Sequence, residues 1–90
     1  MKLEWNEEKR LEALAERGLD FARCAEVFAD LTYEYQDNRE DYGELRMIAI
    51  GFLEVELVTI VYTDRDEARR IISMRRSTRR ERRDYEKQFG

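Results

Sequence analysis

Histidine is absent from this chain of 90 residues, and Cys24 is its only cysteine. A zinc site built from cysteine and histidine ligands is therefore excluded, and so is a cysteine–histidine nucleophile pair. A single cysteine also cannot form a disulfide within the chain. These two absences exclude many of the reactions that small enzymes commonly catalyse.

Long hydrophobic runs are also missing. No apolar run approaches the roughly 18 residues that cross a membrane, and the first residues, MKLEWNEEKR, lack the apolar stretch of a signal peptide. Hydrophobic and charged residues each make up 42% of the chain, and no segment is of low complexity. We therefore expect a cytoplasmic protein with no membrane partner, folded as a single domain over residues 1–90.

The charge that is present is distributed unevenly. Residues 1–64 contain seven basic and 16 acidic side chains, a net charge of −9, whereas residues 65–90 contain ten basic and five acidic side chains, a net charge of +5. The stretch RIISMRRSTRRERRDYE, residues 70–86, holds seven arginines. This asymmetry favours an anionic partner, nucleic acid first. The alternative is a solvated surface on which arginines pair with the protein's own glutamates.

Local patterns in the first third predict a strand and two helices. Polar and apolar residues alternate in KLEW, and Asn6 is a good N-cap for a helix over residues 7–17 that ends at Gly18. Asp20 can cap a second helix, and the spacing of Phe21, Cys24, Ala25 and Phe28 gives that helix one apolar face. We expect Cys24 to be a core residue.

The rest of the chain predicts four strands and a helix. The strands correspond to LTYEYQ, ELRMIAIGFLE, VELVTIVYT and RRIISMR. Thr78 and Glu81 have the spacing of a capping box, which predicts a helix that begins near Arg79 and carries Tyr85 and Phe89 inward. The order β-α-α-β-β-β-β-α predicts an α+β fold with helices on one side of a mainly antiparallel sheet.

Strict alternation in the last strand predicts two faces with basic ends. One face would hold Arg70, Ile72, Met74 and Arg76, and the other would hold Arg69, Ile71 and Arg75. Arg79 and Arg80 follow at the start of the last helix, where positive charge opposes the helix dipole. A purely structural surface does not explain this cost, so we predict that Arg70, Arg79 and Arg80 bind RNA.

RNA cleavage is a reaction that needs neither histidine nor metal, because the 2′-hydroxyl of RNA is itself a nucleophile. Positioning and positive groups around the phosphate are required. Arginine meets the second need, since its guanidinium matches two phosphate oxygens and stays charged. It is a poor proton acceptor, so a base must come from elsewhere. Glu44, Glu81 and Tyr85 are candidates, although they also suit a turn, a cap and the core respectively.

Several segments together resemble the BrnT family of bacterial type II toxins, across essentially the whole chain. They are LEW with the acidic helix after it, DFARCAEVFAD, GELRMIAIG and VTIVYTDRDEARRIISMRRSTRRERRDYE. The resemblance implies a fold similar to the RelE ribonuclease toxins, RNA cleavage without a cofactor, and inhibition of translation. It also implies a BrnA-like ribbon-helix-helix antitoxin as partner, through which alone the toxin reaches operator DNA.

Carried over by position, the resemblance points to Arg46, Arg65, Arg75 and Arg76 as RNA-facing residues. It makes Arg46, Arg75 and Arg76 candidate catalytic residues, with Tyr85 a possible helper. One departure concerns activity, since the family usually has Lys-His-Gly where this chain has Glu16, Arg17 and Gly18. If the missing imidazole takes part in catalysis, the protein is a weak or inactive homologue that serves as an antitoxin-binding co-repressor. If it only ends the helix, Gly18 retains the necessary geometry.

Overall fold

The computed structural model describes all 90 residues and contains five strands and three helices. The strands are β1 (Lys2–Trp5), β2 (Thr32–Gln36), β3 (Met47–Leu53), β4 (Glu56–Arg65) and β5 (Ala68–Arg76). The helices are α1 (Glu7–Arg17), α2 (Cys24–Phe28) and α3 (Arg79–Phe89), and a 3-10 turn, Phe21–Arg23, precedes α2. The predicted α+β class is confirmed. None of the helices has the length and apolar character that crossing a membrane requires.

The five strands form one mixed sheet in the order β1-β5-β4-β3-β2. The three neighbouring pairs from β2 to β5 are antiparallel, whereas β1 runs parallel to β5 with Lys2 opposite Ala68 and Trp5 opposite Ile71. The chain therefore leaves the edge strand β1 through α1 and returns to it more than 60 residues later. Alternation within KLEW alone does not predict this parallel neighbour.

The helix ends follow the local signals in the sequence. The Asn6 side chain accepts a hydrogen bond from the Lys9 backbone N–H at 3.2 Å, and Gly18 ends α1 in the left-handed conformation with φ of 70°. At α3 the Thr78 side chain and Glu81 form the predicted capping box. These predictions are confirmed, and Asp20 caps the 3-10 turn that leads into α2.

Helices lie on both sides of the sheet, so the prediction of one helical side is wrong. Helices α1 and α2 cover a core that includes Cys24, Val58 and Ile60, while α3 packs through Tyr85 on the opposite side, against Phe52. The reason lies in β3, MIAIGFL, whose apolar residues face both ways. A strand that is apolar on both faces needs cover on both.

A β-bulge in β5 changes which arginines share a face. Tyr62 lies opposite Ile71 and the next residue back in β4, Val61, lies opposite Ser73, so Ile72 is an extra residue in the ladder. The extra residue reverses the alternation. The faces predicted for β5 are therefore wrong in part: Arg70 and Arg75 share one face, and Arg69, Met74 and Arg76 share the other.

Candidate nucleic-acid interface

Four predicted site residues lie on the same side of the sheet. Pairing registers place Arg65 on β4 and Arg70 and Arg75 on β5 on the side that carries α3, and Arg46 reaches the same side from the residue before β3. Helix α3 packs over β2 and β3 and reaches Thr59 on β4 and Arg75 on β5 through Glu81, and the four arginines on this side remain at least partly exposed. We call this side the arginine face, and the side packed against α1 and α2 the covered face.

One end of the arginine face forms a basic concavity of about 110 Å³, lined by Lys9, Glu44, Arg46, Arg65 and Arg70 among others. Glu44 accepts hydrogen bonds from Arg65 at 2.9 Å and from Arg46 at 3.2 Å. The bond from Arg65 is the main reason that the pKa of Glu44 is lowered. Arg70 has no carboxylate partner, so its guanidinium is available to an anion.

At the other end, Arg75 is held by Glu81 from the first turn of α3. The two guanidinium nitrogens donate to the two carboxylate oxygens at 2.7 and 2.8 Å. Glu81 also accepts from the Thr59 hydroxyl and the Thr78 backbone N–H. These bonds, that of Arg75 first, lower the pKa of Glu81 to about 2. A paired guanidinium still has free N–H groups, so Glu81 fixes the orientation of Arg75 without using all its donors.

None of the three candidate bases is free and tuned to accept a proton. Glu81 and Glu44 both have lowered pKa values and are occupied by arginines. Tyr85 donates its hydroxyl to the Leu31 carbonyl at 3.3 Å and packs edge-on against Phe52, and burial raises its pKa. The predicted cap and core roles describe the observed contacts of Glu81 and Tyr85, whereas Glu44 pairs with two arginines, and a catalytic part for any of the three stays a prediction.

The arginines of α3 form a second group of cations. Arg79, Arg80, Arg82 and Arg83 are exposed and make no ion pair. Of the seven arginines in residues 70–86, only Arg75 and Arg76 pair with carboxylates, Glu81 and Glu56 respectively. Internal pairing thus accounts for a minority of this charge. The unpaired majority gives the protein a positive surface that begins on β5 and continues along α3.

Arg76 lies apart from Arg75, because neighbouring residues of a strand point to opposite faces. On its own side Arg76 binds Glu56 and donates to the Arg17 carbonyl at 2.6 Å, and the Arg17 side chain in turn donates to the Met74 carbonyl at 3.4 Å. Arg76 therefore lies beside the end of α1, where this chain departs from Lys-His-Gly. The structure does not bring it together with the arginine face.

Four residues near Arg75 were not among the predicted site residues: Tyr33, Tyr35, Asp84 and Arg39. Tyr33 and Tyr35 lie on the arginine face with their ring centroids 5.4 Å apart, and Asp84 and Arg80 face them from α3 across a concavity. The alternation in LTYEYQ is the signal that places both tyrosines on one face. Arg39 also lies close enough for its charge to act on Arg75, although the Arg39 side chain donates a hydrogen bond to Asp37.

Other chemistry has little support in the structure. Cys24 is fully buried, which raises the pKa of its thiol to about 12 and confirms it as a core residue. No group of three or more carboxylate or thiol side chains is close enough together to hold a metal ion. The arginine face is thus the main concentration of chemically useful side chains.

Comparison with models of protein families shows which family the chain belongs to. The family model for the ribonuclease toxin BrnT, of type II toxin-antitoxin systems, matches residues 5–81. The chain belongs to the BrnT family. The predicted resemblance is thereby confirmed, and membership makes the chain a ribonuclease toxin of a class that has RNA as substrate and a protein antitoxin as partner.

The BrnT match includes the strand arginines and both tyrosines of the arginine face, together with Arg79, Arg80 and Glu81, but not Asp84. Tyr85 lies beyond the matched residues. A comparison with curated proteins finds no match.

Proposed function

We propose that this BrnT family member is an endoribonuclease that cleaves RNA on the arginine face without a metal ion. The observation that carries the proposal is that one side of the sheet holds four at least partly exposed arginines from three segments of the chain, Arg46, Arg65, Arg70 and Arg75. Guanidinium groups stabilise the charge that develops on a phosphate. The surface therefore has the donors that the reaction needs.

In the proposed reaction the RNA supplies its own nucleophile. The 2′-oxygen attacks the adjacent phosphorus while its proton leaves to a base, and the bond from phosphorus to the 5′-oxygen breaks as that oxygen takes up a proton. The products are a 2′,3′-cyclic phosphate and a 5′-hydroxyl. Because negative charge increases on the phosphate oxygens in the transition state, a fixed guanidinium accelerates this step more than it tightens binding.

We assign the stabilising role first to Arg75, whose orientation is fixed by Glu81. Arg46, Arg65 and Arg70 hold the flanking RNA in the basic concavity, and Arg79 and Arg80 extend the phosphate-binding surface along α3. Catalytic help from Tyr85 requires its hydroxyl to leave the Leu31 carbonyl. A catalytic role for Arg76 requires RNA to reach the covered side of β5.

The cellular proposal extends the family assignment. We propose that residues 1–90 are one domain with a RelE-like arrangement, and that cleavage in the cytoplasm inhibits translation. A BrnA-like ribbon-helix-helix antitoxin neutralises the toxin by placing an acidic segment over the arginine face, where complementary charge speeds association. Operator DNA is bound only through that antitoxin.

A catalytically weak homologue that acts as co-repressor is the second candidate. The observation in its favour is the position of the Lys-His-Gly departure: Glu16 and Arg17 end α1 beside Arg76, and Arg17 is engaged with the Met74 carbonyl. If catalysis in the family takes place at this end of α1, the change removes a reacting group. If it takes place on the arginine face, the change leaves the site intact.

A cleavage assay distinguishes the two candidates. We expect the purified protein to cut single-stranded RNA in EDTA and to leave cyclic phosphate and 5′-hydroxyl ends, whereas a 2′-O-methyl RNA of the same sequence is bound but not cut. Binding should fall steeply with salt, because phosphate contacts release counterions. Binding without cleavage supports the co-repressor. No binding at about 50 mM salt contradicts the ribonuclease and leaves the co-repressor, which needs only its antitoxin.

A further inference from the structure

A second concavity adjoins Arg75 on the arginine face. It has a volume of about 350 Å³ and is lined by Tyr33, Tyr35, Thr78, Arg80, Glu81 and Asp84. That volume lies in the range of small-molecule sites. Because Glu81 also holds Arg75, the concavity begins one ion pair away from the proposed phosphate site. We call it the tyrosine pocket.

The wall on the β2 side of this pocket is aromatic. Tyr33 and Tyr35 are both half-buried, and their rings are tilted by 45° to each other. Neither hydroxyl makes a hydrogen bond, so nothing fixes the polar ends of these rings except solvent. Partly exposed aromatic rings beside a row of cations are the elements that bind single-stranded nucleic acid, since bases stack on the rings while the cations hold the phosphates.

The wall on the α3 side carries a carboxylate and a guanidinium that have no partners in the protein. Asp84 is half-buried and makes no hydrogen bond or ion pair, and Arg80, one helical turn earlier, is also without a partner. Glu81 differs because its carboxylate is already occupied by Arg75, Thr59 and Thr78. Asp84 is therefore the carboxylate in this pocket that has both oxygens available to a ligand.

We propose that the tyrosine pocket binds one nucleobase of the RNA by stacking on Tyr35 and Tyr33, and that Asp84 with Arg80 selects guanine. This inference rests on the RNA binding that the proposed function requires. The Watson–Crick edge of guanine presents two adjacent donors, N1–H and the 2-amino group, beside the O6 acceptor. A carboxylate takes both donors and a guanidinium serves O6. Adenine, cytosine and uracil each lack the adjacent pair of donors.

Binding of uncleavable RNA tests this proposal independently of catalysis. The probes are 2′-O-methyl oligouridines with a single guanine, inosine or adenine in the middle, measured by fluorescence anisotropy at one salt concentration. We expect guanine to bind about 5- to 150-fold more tightly than adenine, the range of a good bidentate contact. Inosine, which lacks the 2-amino group, should fall between them.

Two variants separate base selection from charge and from stacking. Asp84→Asn should bring the guanine and adenine probes to within about threefold, whereas Glu86→Gln, the same charge change elsewhere on α3, should keep the full preference. Tyr35→Leu should weaken all probes alike, and Tyr35→Phe should restore them because the ring is retained.

The outcomes of these experiments separate the base-selection proposal from the proposed RNA-cleaving function. Equal binding of the guanine and adenine probes, or an unchanged preference in Asp84→Asn, would overturn base selection and leave the proposed RNA-cleaving function standing. No binding of any probe at low salt would overturn both. A guanine preference in a protein that cuts no RNA would support the pocket and contradict the proposed cleavage.

Discussion

The covered face and the arginine face are two sides of one sheet, yet they differ in what shields them. On the covered face Val58, Ile60 and Met74 have no exposed surface, because α1 and α2 close over them. On the arginine face Ile50, Leu57 and Val61 form a second buried cluster on β3 and β4, but on β5 Arg70 and Ile72 remain half-exposed. Along β5 the two faces thus separate residues that hold the fold, such as Met74, from residues that are free to meet a ligand, such as Arg70.

The largest expected effect concerns stability and tests that separation. Ile60→Ala, on the covered face, should lower the free energy of unfolding by about 2–5 kcal/mol, because a fully buried side chain is lost and a cavity remains. Ile72→Ala removes the same atoms from the arginine face, where the side chain is half-exposed, and should cost less than half as much. Urea unfolding monitored by tryptophan fluorescence measures both.

A result that would undo the comparison is equal destabilisation by the two substitutions. It would mean that the arginine face is packed as tightly around Ile72 as the covered face is around Ile60, and it would leave no open surface for RNA on β5. Retained RNA binding by folded Ile60→Ala is the accompanying expectation, since Ile60 points away from the arginine face.

A smaller effect is expected for the ion pair that orients Arg75. The pKa of Glu81 is about 2 in the folded protein and higher in the unfolded chain, where its ordinary value is 4.5. Its stabilising contribution is therefore complete above about pH 4.5 and is lost as pH falls toward 2. The difference in stability between the wild type and Glu81→Gln should shrink across that window. Carboxylates that titrate in both proteins cancel in this difference.

The Arg75→Gln background provides the control for this pH dependence. Arg75 is the largest cause of the lowered pKa, so Glu81→Gln should have less effect on the pH profile once Arg75 is gone. A wild-type difference that stays constant between pH 5 and pH 2.5 would contradict the assignment of Glu81 as a charged positioning residue.

Local signals in the sequence predict the helices well. Asn6, Gly18 and the pair Thr78 and Glu81 act through backbone groups within four residues of themselves, so their effect does not depend on the rest of the fold. The same holds for Cys24, whose place in the core follows from the spacing of its apolar neighbours.

Features that depend on distant partners are not predicted in this way. The parallel pairing of β1 with β5 joins segments more than 60 residues apart, and the bulge at Ile72 is visible only once the register with β4 is known. Because of that bulge, Arg70 and Arg75 lie on one face. Strict alternation would place residues five positions apart on opposite faces. Tyr35 and Asp84 line one pocket because α3 packs on the side of the sheet opposite α1 and α2. The sequence pattern predicts all the helices on one side.

The central claim is that RNA cleavage takes place on the arginine face, and the neighbours Arg75 and Arg76 test it most directly. Sequence predicts both as catalytic, whereas the structure places them on opposite faces. Replacing either with Lys keeps the charge and removes the bidentate fork. The measurement is the rate of RNA cleavage by Arg75→Lys and by Arg76→Lys, with RNA affinity measured alongside.

We predict that Arg75→Lys loses about 2.7–4 kcal/mol of transition-state stabilisation, a fall in cleavage rate of roughly a hundred- to a thousandfold, with little change in affinity. Arg76→Lys should stay within about tenfold of the wild type, since Arg76 contacts Glu56 and the Arg17 carbonyl on the other side of the sheet. The opposite ranking, with Arg76→Lys inactive and Arg75→Lys active, would contradict the claim and place the reaction beside the end of α1.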